Sequence, residues 1–326
     1  MTISTALTAL LAIEHPILLA PMAGAAGGRL AAAVSHAGGL GILGGGYGEE
    51  DWLRRELDAA GNARIGVGFI TWSMAQNPRL LDLALERKPA AIMLSFGDIT
   101  PHVATIKRAG ARLICQVQDV GQAREAITQG ADVVIAQGTE AGGHGATRAT
   151  FPFVPAVVEI ADNIPVVAAG GIGDGRGLAA ALMLGASGVL MGTRFLASAE
   201  STITADAKRR LVDSVGESTV RTSVFDVVRG RNWPAPYTGR VIRNDFFETW
   251  SRGDVELAHN RERASRAYAE GEARADPNTL VLHAGEVLDL IGDIPPAQEI
   301  VERTVREAER LLATAADRYG LTPRRP

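Results

Sequence analysis

PVVAAGGIGDGRGLAAALMLGASGVLMGTRF, residues Pro165 to Phe195, holds two short apolar runs with a helical segment between them. PVVAAGG from Pro165 and GVLMGTRF from Gly188 each contain a nearly continuous apolar stretch, as strands buried on both faces of a parallel sheet do. The longest apolar region of the chain, around Leu178 to Leu196, is broken by Gly185, Ser187, Gly188 and Gly192. It therefore reads as a helix, a turn and a strand, not as a membrane span. The repeating unit is strand, glycine-rich loop, helix, turn, strand.

The same unit recurs upstream. PILLAP starts at Pro16, LGILGG at Leu40, RIGVGFI at Arg64, AAIMLSF at Ala90, RLICQVQ at Arg112 and DVVIAQG at Asp132. Helical periodicity fills the gaps. Leu30, Val34 and Ala37 share a face before Gly38 and Gly39, and Ala123, Ile127 and Ala131 do so around AREAITQG. Successive runs begin roughly two dozen residues apart, the length of one strand, one helix and two short loops. Eight such units within the first 200 residues predict an α/β fold, a (β/α)8 TIM barrel. An open doubly wound sheet would show fewer strands and a phosphate loop after the first. The one G-x-G-x-x-G, GLGILG from Gly39 to Gly44, follows a helix and enters a strand, the reverse of the dinucleotide context.

After Leu196 the pattern changes. Residues 201–289 are more charged and polar, carry RNWPAPYTGR, and show no further buried-strand run. They are expected to form a mainly helical cap inserted after the eighth strand. DIPPAQEIVERTVREAERLLATAADRY then reads as a helix with prolines at its start. Ile300, Val301, Val305, Ala308, Leu311 and Leu312 form its apolar face, which returns to the barrel. The expected division is a barrel of residues 1–200 plus about 290–326 and a cap of about 201–289.

Composition narrows the function. With 46% hydrophobic and 21% charged residues the chain is of ordinary globular type. A net charge of −4 gives no basic face for a phosphate backbone, so no nucleic-acid partner is expected. The single cysteine, Cys115, rules out an intrachain disulfide and a Cys-rich zinc site. No Lys or Arg precedes the apolar stretch of MTISTALTALLAIEHP, which makes a poor signal peptide. A cytoplasmic protein without a membrane partner is the expectation.

In barrels the ligand binds on the loops after the strands. Here those loops are APMAGAAGG, GGGYG, QGTEAGGHG, AAGGIGDGRG and MGTRF. Glycine at so many strand ends removes side chains where a flat ligand or a phosphate must meet the backbone. Gly170, Gly171 and Gly173 can offer N–H groups to a phosphate, with Asp174 capping the next helix and Gly192 and Thr193 adding an N–H and a hydroxyl. Arg194 either pairs with that phosphate or points into the outer layer. His144, alone among glycines, is the one candidate acid–base group.

The chain resembles the nitronate monooxygenases, formerly 2-nitropropane dioxygenases, a family of FMN-dependent TIM barrels. The likeness rests on HPILLAPMAG, AAVSHAGGLGILG, AQGTEAGGHGA, PVVAAGGIGDGRG, LMLGASGVLMGTRFLA and AGEVLDLIGDIPPAQEIV, in that order. It implies FMN, with Pro21, Met22 and Ala23 lining the flavin ring and Gly68, Gln116, Gln137 and Gly142 near it. Gly170, Gly171, Gly192 and Thr193 would hold the phosphate, Met191 belongs to the same cofactor set, and His144 matches the active-site histidine. Three positions depart from the family: Gly68 replaces the usual Asn, Gly145 replaces a common Arg after the histidine, and Gln116 stands at about the place of a Lys found in some relatives. Trp72 either fills some of the space left by the missing amide or, as is more frequent for a tryptophan, packs in the core or against the cap.

The implied reaction oxidises an alkyl nitronate, or a nitroalkane, with O2 to a carbonyl compound and nitrite. His144 would serve either as a base on the α-proton or as a donor to the nitronate oxygens. The same scaffold serves NAD(P)H-dependent reduction of a quinone or an enoyl thioester. A non-flavin phosphate-binding isomerase, lyase or silent binder would need a Lys or paired carboxylates that these loops lack. The expected partners are the small-molecule substrate and O2, with a homodimer as the assembly to test. Glu140, four residues before His144, either orients it or is a charged loop residue facing water. Tyr47 is expected in core or rim packing, with facing the pocket as the alternative, Cys115 in the core, and His259 and His283 in surface or packing roles. His15, His36 and His102 have no partners at metal spacing.

Overall fold

The computed structural model describes residues 3–251 and 253–320. The ends of the expected barrel segments, residues 1–2 and 321–326, lie outside the described residues. Eight parallel strands form the sheet: β1 (Ile17–Leu19), β2 (Ile42–Gly44), β3 (Gly66–Ile70), β4 (Ala91–Ser95), β5 (Arg112–Val117), β6 (Val133–Gln137) and, after a short β7 (Gly143–Gly145) that lies elsewhere, β8 (Val166–Ala169) and β9 (Gly188–Met191). Their order is β1-β9-β8-β6-β5-β4-β3-β2, and a parallel bridge between Leu18 and Leu40 brings the two edges together. All eight expected runs are strands.

Strand alternation sorts their side chains into two layers. Leu18, Ile42, Met93, Ile114, Ile135, Val167 and Leu190 fill the barrel interior. The helix Ala6–Leu11 adds Leu7 and Leu11 to that cluster, against the N-terminal start of β9 at Gly188. The alternate residues, among them Leu43, Val67, Leu94, Cys115, Val134 and Met191, pack outward under the surrounding helices. The last helix, Ala297–Arg318, packs against helices Gly175–Met183 and Gly28–His36 and so takes the eighth-helix position of the barrel. Ile300, Val301, Val305 and Ala308 are buried there, and Leu311 and Leu312 are partly buried. Gly175 is required at this contact, because a Cβ would lie 2.5 Å from the Thr304 carbonyl oxygen.

Residues 201–289 are rich in helix, with Ala205–Val212, Val224–Val228, Asp245–Trp250, Asp254–His259 and Arg261–Ala273. The expectation of no further buried strand there fails. β10 (Thr219–Thr222) and β11 (Thr238–Ile242) pair antiparallel with each other, and β11 pairs antiparallel with β7. This three-stranded sheet carries arginines inward as hydrogen-bond donors, so its strands do not read as apolar runs. Among the described residues no helix is long and apolar enough to cross a membrane.

Candidate active site

A cavity of about 360 Å³ opens at the C-terminal ends of the barrel strands, and eleven of its lining residues are glycines. The backbone is therefore bare where a ligand would lie. The top layer of the barrel interior supplies Gly68, Gln116 and Gln137, each in the inward register of its strand. A Cβ at Gly68 would collide with the Pro21 ring. Pro21, not Trp72, occupies the space beside Gly68. Trp72 instead lies edge-on to Trp233, with ring centroids 5.4 Å apart.

The phosphate candidates converge as expected, with changes at the margins. Gly170, Gly171, Gly192 and Thr193 all line the cavity, and their N–H groups donate to no protein acceptor among the described residues. Gly170 (φ +107°) and Gly171 (φ +72°) hold left-handed conformations that glycine alone takes easily. Thr193 Oγ1 accepts from the Gly285 N–H at 2.9 Å. Asp174 caps the next helix, accepting from the Arg176 and Gly177 N–H groups at 2.9 and 3.2 Å. Gly173 lies outside the cavity lining, beneath Val287. Arg194 turns outward, donating to the Asp293 carboxylate at 3.0 Å and to the Ala197 carbonyl at 2.9 Å. Four uncommitted N–H groups below a glycine-bared wall suit a phosphate joined to a flat ring.

Pro21, Met22, Ala23, Gln116, Gln137 and Gly142 line the same cavity. Met191 does not. It sits in the outward register between inward Leu190 and the cavity-lining Gly192, fully buried under the helices. The period-two alternation of GVLMG carries that signal in the sequence. Cys115 likewise faces the outer core, where burial pushes its thiol up to about 12.

His144 is placed by backbone pairing. As the centre of β7 it lies opposite Gly239 of β11, and its carbonyl accepts from Gln137 Nε2 at 3.0 Å. Gln137 Oε1 in turn accepts from Gln116 and Gln118 at 3.1 and 2.8 Å. The His144 ring is 2.9 Å from Asp226, through Nε2 and Oδ2, and both residues are buried. Trp233 stacks flat on the imidazole, with centroids 3.5 Å apart and planes 6° from parallel. Glu140 does not orient His144. Its carboxylate accepts from the Thr150 backbone N–H at 3.0 Å and from the Thr150 hydroxyl at 2.7 Å.

His283 also lines the cavity, with its ring centroid 5.5 Å from that of His144. Burial, His144 and Arg229 together push its pKa down to about 3, so it is neutral at physiological pH. Tyr47 faces the cavity as one of a group of aromatic rings with Trp72 and Trp233, and burial raises its phenol. Arg229 lines the cavity too. Asp226, Arg229, Trp233 and His283 come from the polar region after β9, whose pairing with β7 no local motif announces.

The family model described as nitronate monooxygenase matches residues 4–65 and 68–307. The chain is similar to the nitronate monooxygenase npaC of Metarhizium robertsii, at 35% identity over 91% of this chain and 92% of that one. Among solved structures it is similar to FabK from Thermotoga maritima, with a TM-score of 0.84 and 34% identity over 97% of this chain and 100% of that one. It is also similar to a nitroalkane oxidase from Streptomyces ansochromogenes, with a TM-score of 0.78 and 28% identity over 95% and 100% of the two chains.

Proposed function

The chain belongs to the nitronate monooxygenase family of flavin oxidoreductases, and from that premise we propose that it oxidises alkyl nitronates and nitroalkanes with O2 to a carbonyl compound and nitrite, using FMN. The observation that carries this reading is the placement of His144 on the same cavity as the unpartnered N–H groups of Gly170, Gly171, Gly192 and Thr193. Those N–H groups would hold the FMN phosphate. Pro21, Met22, Ala23, Gly68, Gly142, Gln116 and Gln137 line the same cavity and would hold its ring. When bound, the flavin supplies the electron acceptor for the nitronate.

The protein's own part is to bind, orient and move a proton. His144 stands at the cavity wall with its ring plane fixed by Trp233. Tyr47 and Trp233 line the cavity, with Trp72 packed against both rings, and would shield a substrate there from water. Residues 1–200 with 290–326 act as the cofactor-binding barrel, and residues 201–289 act as a cap that brings Asp226 and Trp233 over it. The test is nitrite release in air from nitroethane by the purified yellow protein. His144→Asn is expected to retain flavin and lose nitroethane turnover by about a hundredfold or more. A colourless wild-type protein, or no nitrite from nitroethane or its nitronate, contradicts the proposal.

A further inference from the structure

We propose that Asp226 is a positioning residue that holds His144 by Nε2–H and thereby leaves Nδ1 as the nitrogen that takes the substrate proton. This rests on the function proposed above and chooses between the two roles open to the histidine. Asp226 is 6% exposed and His144 8%, and their contact of 2.9 Å is the one hydrogen bond to the Asp226 carboxylate among the described residues. A buried carboxylate accepts hydrogen bonds and cannot donate them, so Nε2 must carry the hydrogen. The neutral imidazole is then the Nε2–H tautomer, and its lone pair is on Nδ1.

Nδ1 has no partner in the protein among the described residues, and it is not one of the enclosed unpartnered atoms. It is open on a residue that lines the cavity. Rotation of the ring is blocked by the Trp233 stack at 3.5 Å, and the backbone beneath it is held by Gln137 at 3.0 Å. Such an imidazole presents an acceptor to the cavity. It suits removal of a proton and does not suit donation to nitronate oxygens.

The step follows directly. The α-C–H bond of a neutral nitroalkane breaks, its electron pair delocalises into the nitro group to give the nitronate, and the proton passes to Nδ1. The resulting imidazolium keeps Nε2–H on Asp226, whose negative charge offsets the new positive one.

The test uses the holoprotein with ¹⁵N-labelled histidine. Nitrogen–hydrogen correlation spectra are expected to show His144 protonated at Nε2 and bare at Nδ1. In Asp226→Asn the side-chain amide donates to Nε2, and the proton is expected to move to Nδ1. A wild-type Nδ1–H tautomer, or an unchanged tautomer in the variant, overturns the assignment. In kinetics, Asp226→Asn is expected to lower the ratio of kcat/KM for nitroethane over ethyl nitronate by about a hundredfold. Asp226→Glu is expected to recover at least about tenfold of that ratio, because a carboxylate restores the tautomer. Equal losses on both substrates, with no change in the ratio, show a merely structural role and overturn the proposal. If the wild type oxidises neither compound, the function proposed above fails, and the tautomer measurement still decides the role of Asp226.

Discussion

Gly68 leaves no room for a side chain, because Pro21 already fills the position that a Cβ would need. Gly68→Ala is therefore expected to lower stability by about 1–3 kcal/mol through overpacking, read as a fall in the denaturant midpoint at unchanged m-value. An unchanged midpoint would mean that Pro21 yields at no cost. At this scale the sequence was informative where the chemistry is backbone chemistry. That Gly170, Gly171, Gly192, Thr193 and His144 share one cavity was legible because the loops after the strands of a barrel gather at one end. Met191 was misplaced because a motif overrode strand alternation. Asp226 was illegible, since SVFDVV is an ordinary helical sequence and its histidine partner is 82 residues away.

Among elements, the three-stranded sheet is what sequence patterning could not show. Buried parallel strands announce themselves as apolar runs, whereas β10 and β11 place Arg221 and Arg240 against the barrel loops. Arg221 donates through Nε to Thr139 Oγ1 at 2.9 Å and through Nη1 to the Thr238 carbonyl at 2.7 Å. Arg240 donates through Nε to the Thr139 carbonyl at 2.8 Å and pairs with Glu286 at 2.9 Å. These contacts fasten the loop QGTEAGGHG, so its glycines do not leave His144 loose. Arg240→Ala is expected to cost about 2 kcal/mol and to speed amide hydrogen exchange at residues 138–145. Exchange that is unchanged there would show that β7 is held by its β11 ladder alone.

At the scale of the whole molecule, the barrel was legible because its eight units repeat at one interval, and the final helix because its apolar face has the period of a helix. The region after β9 was legible only as a change of composition. Its pairing with β7 makes fold and site one system, and acid should test that link. His283 has an unperturbed pKa of about 6.5 and a folded value of about 3, so the unfolded chain binds its proton first. Its contribution to stability is complete above about pH 6.5 and is lost as the pH falls toward 3, at up to about 1.4 kcal/mol per pH unit. His283→Asn is expected to flatten the stability profile across that window. A profile as steep as that of the wild type would place the titration elsewhere.

The proposed reaction oxidises a nitronate through a bound flavin, with His144 on the same cavity. The direct measurement is anaerobic mixing of the purified holoprotein with ethyl nitronate in one experiment and NADH in another, following flavin absorbance. Rapid loss of the oxidised flavin spectrum is expected with the nitronate, and none of comparable rate with NADH. Bleaching by NADH alone would contradict it and assign the barrel to reductase chemistry.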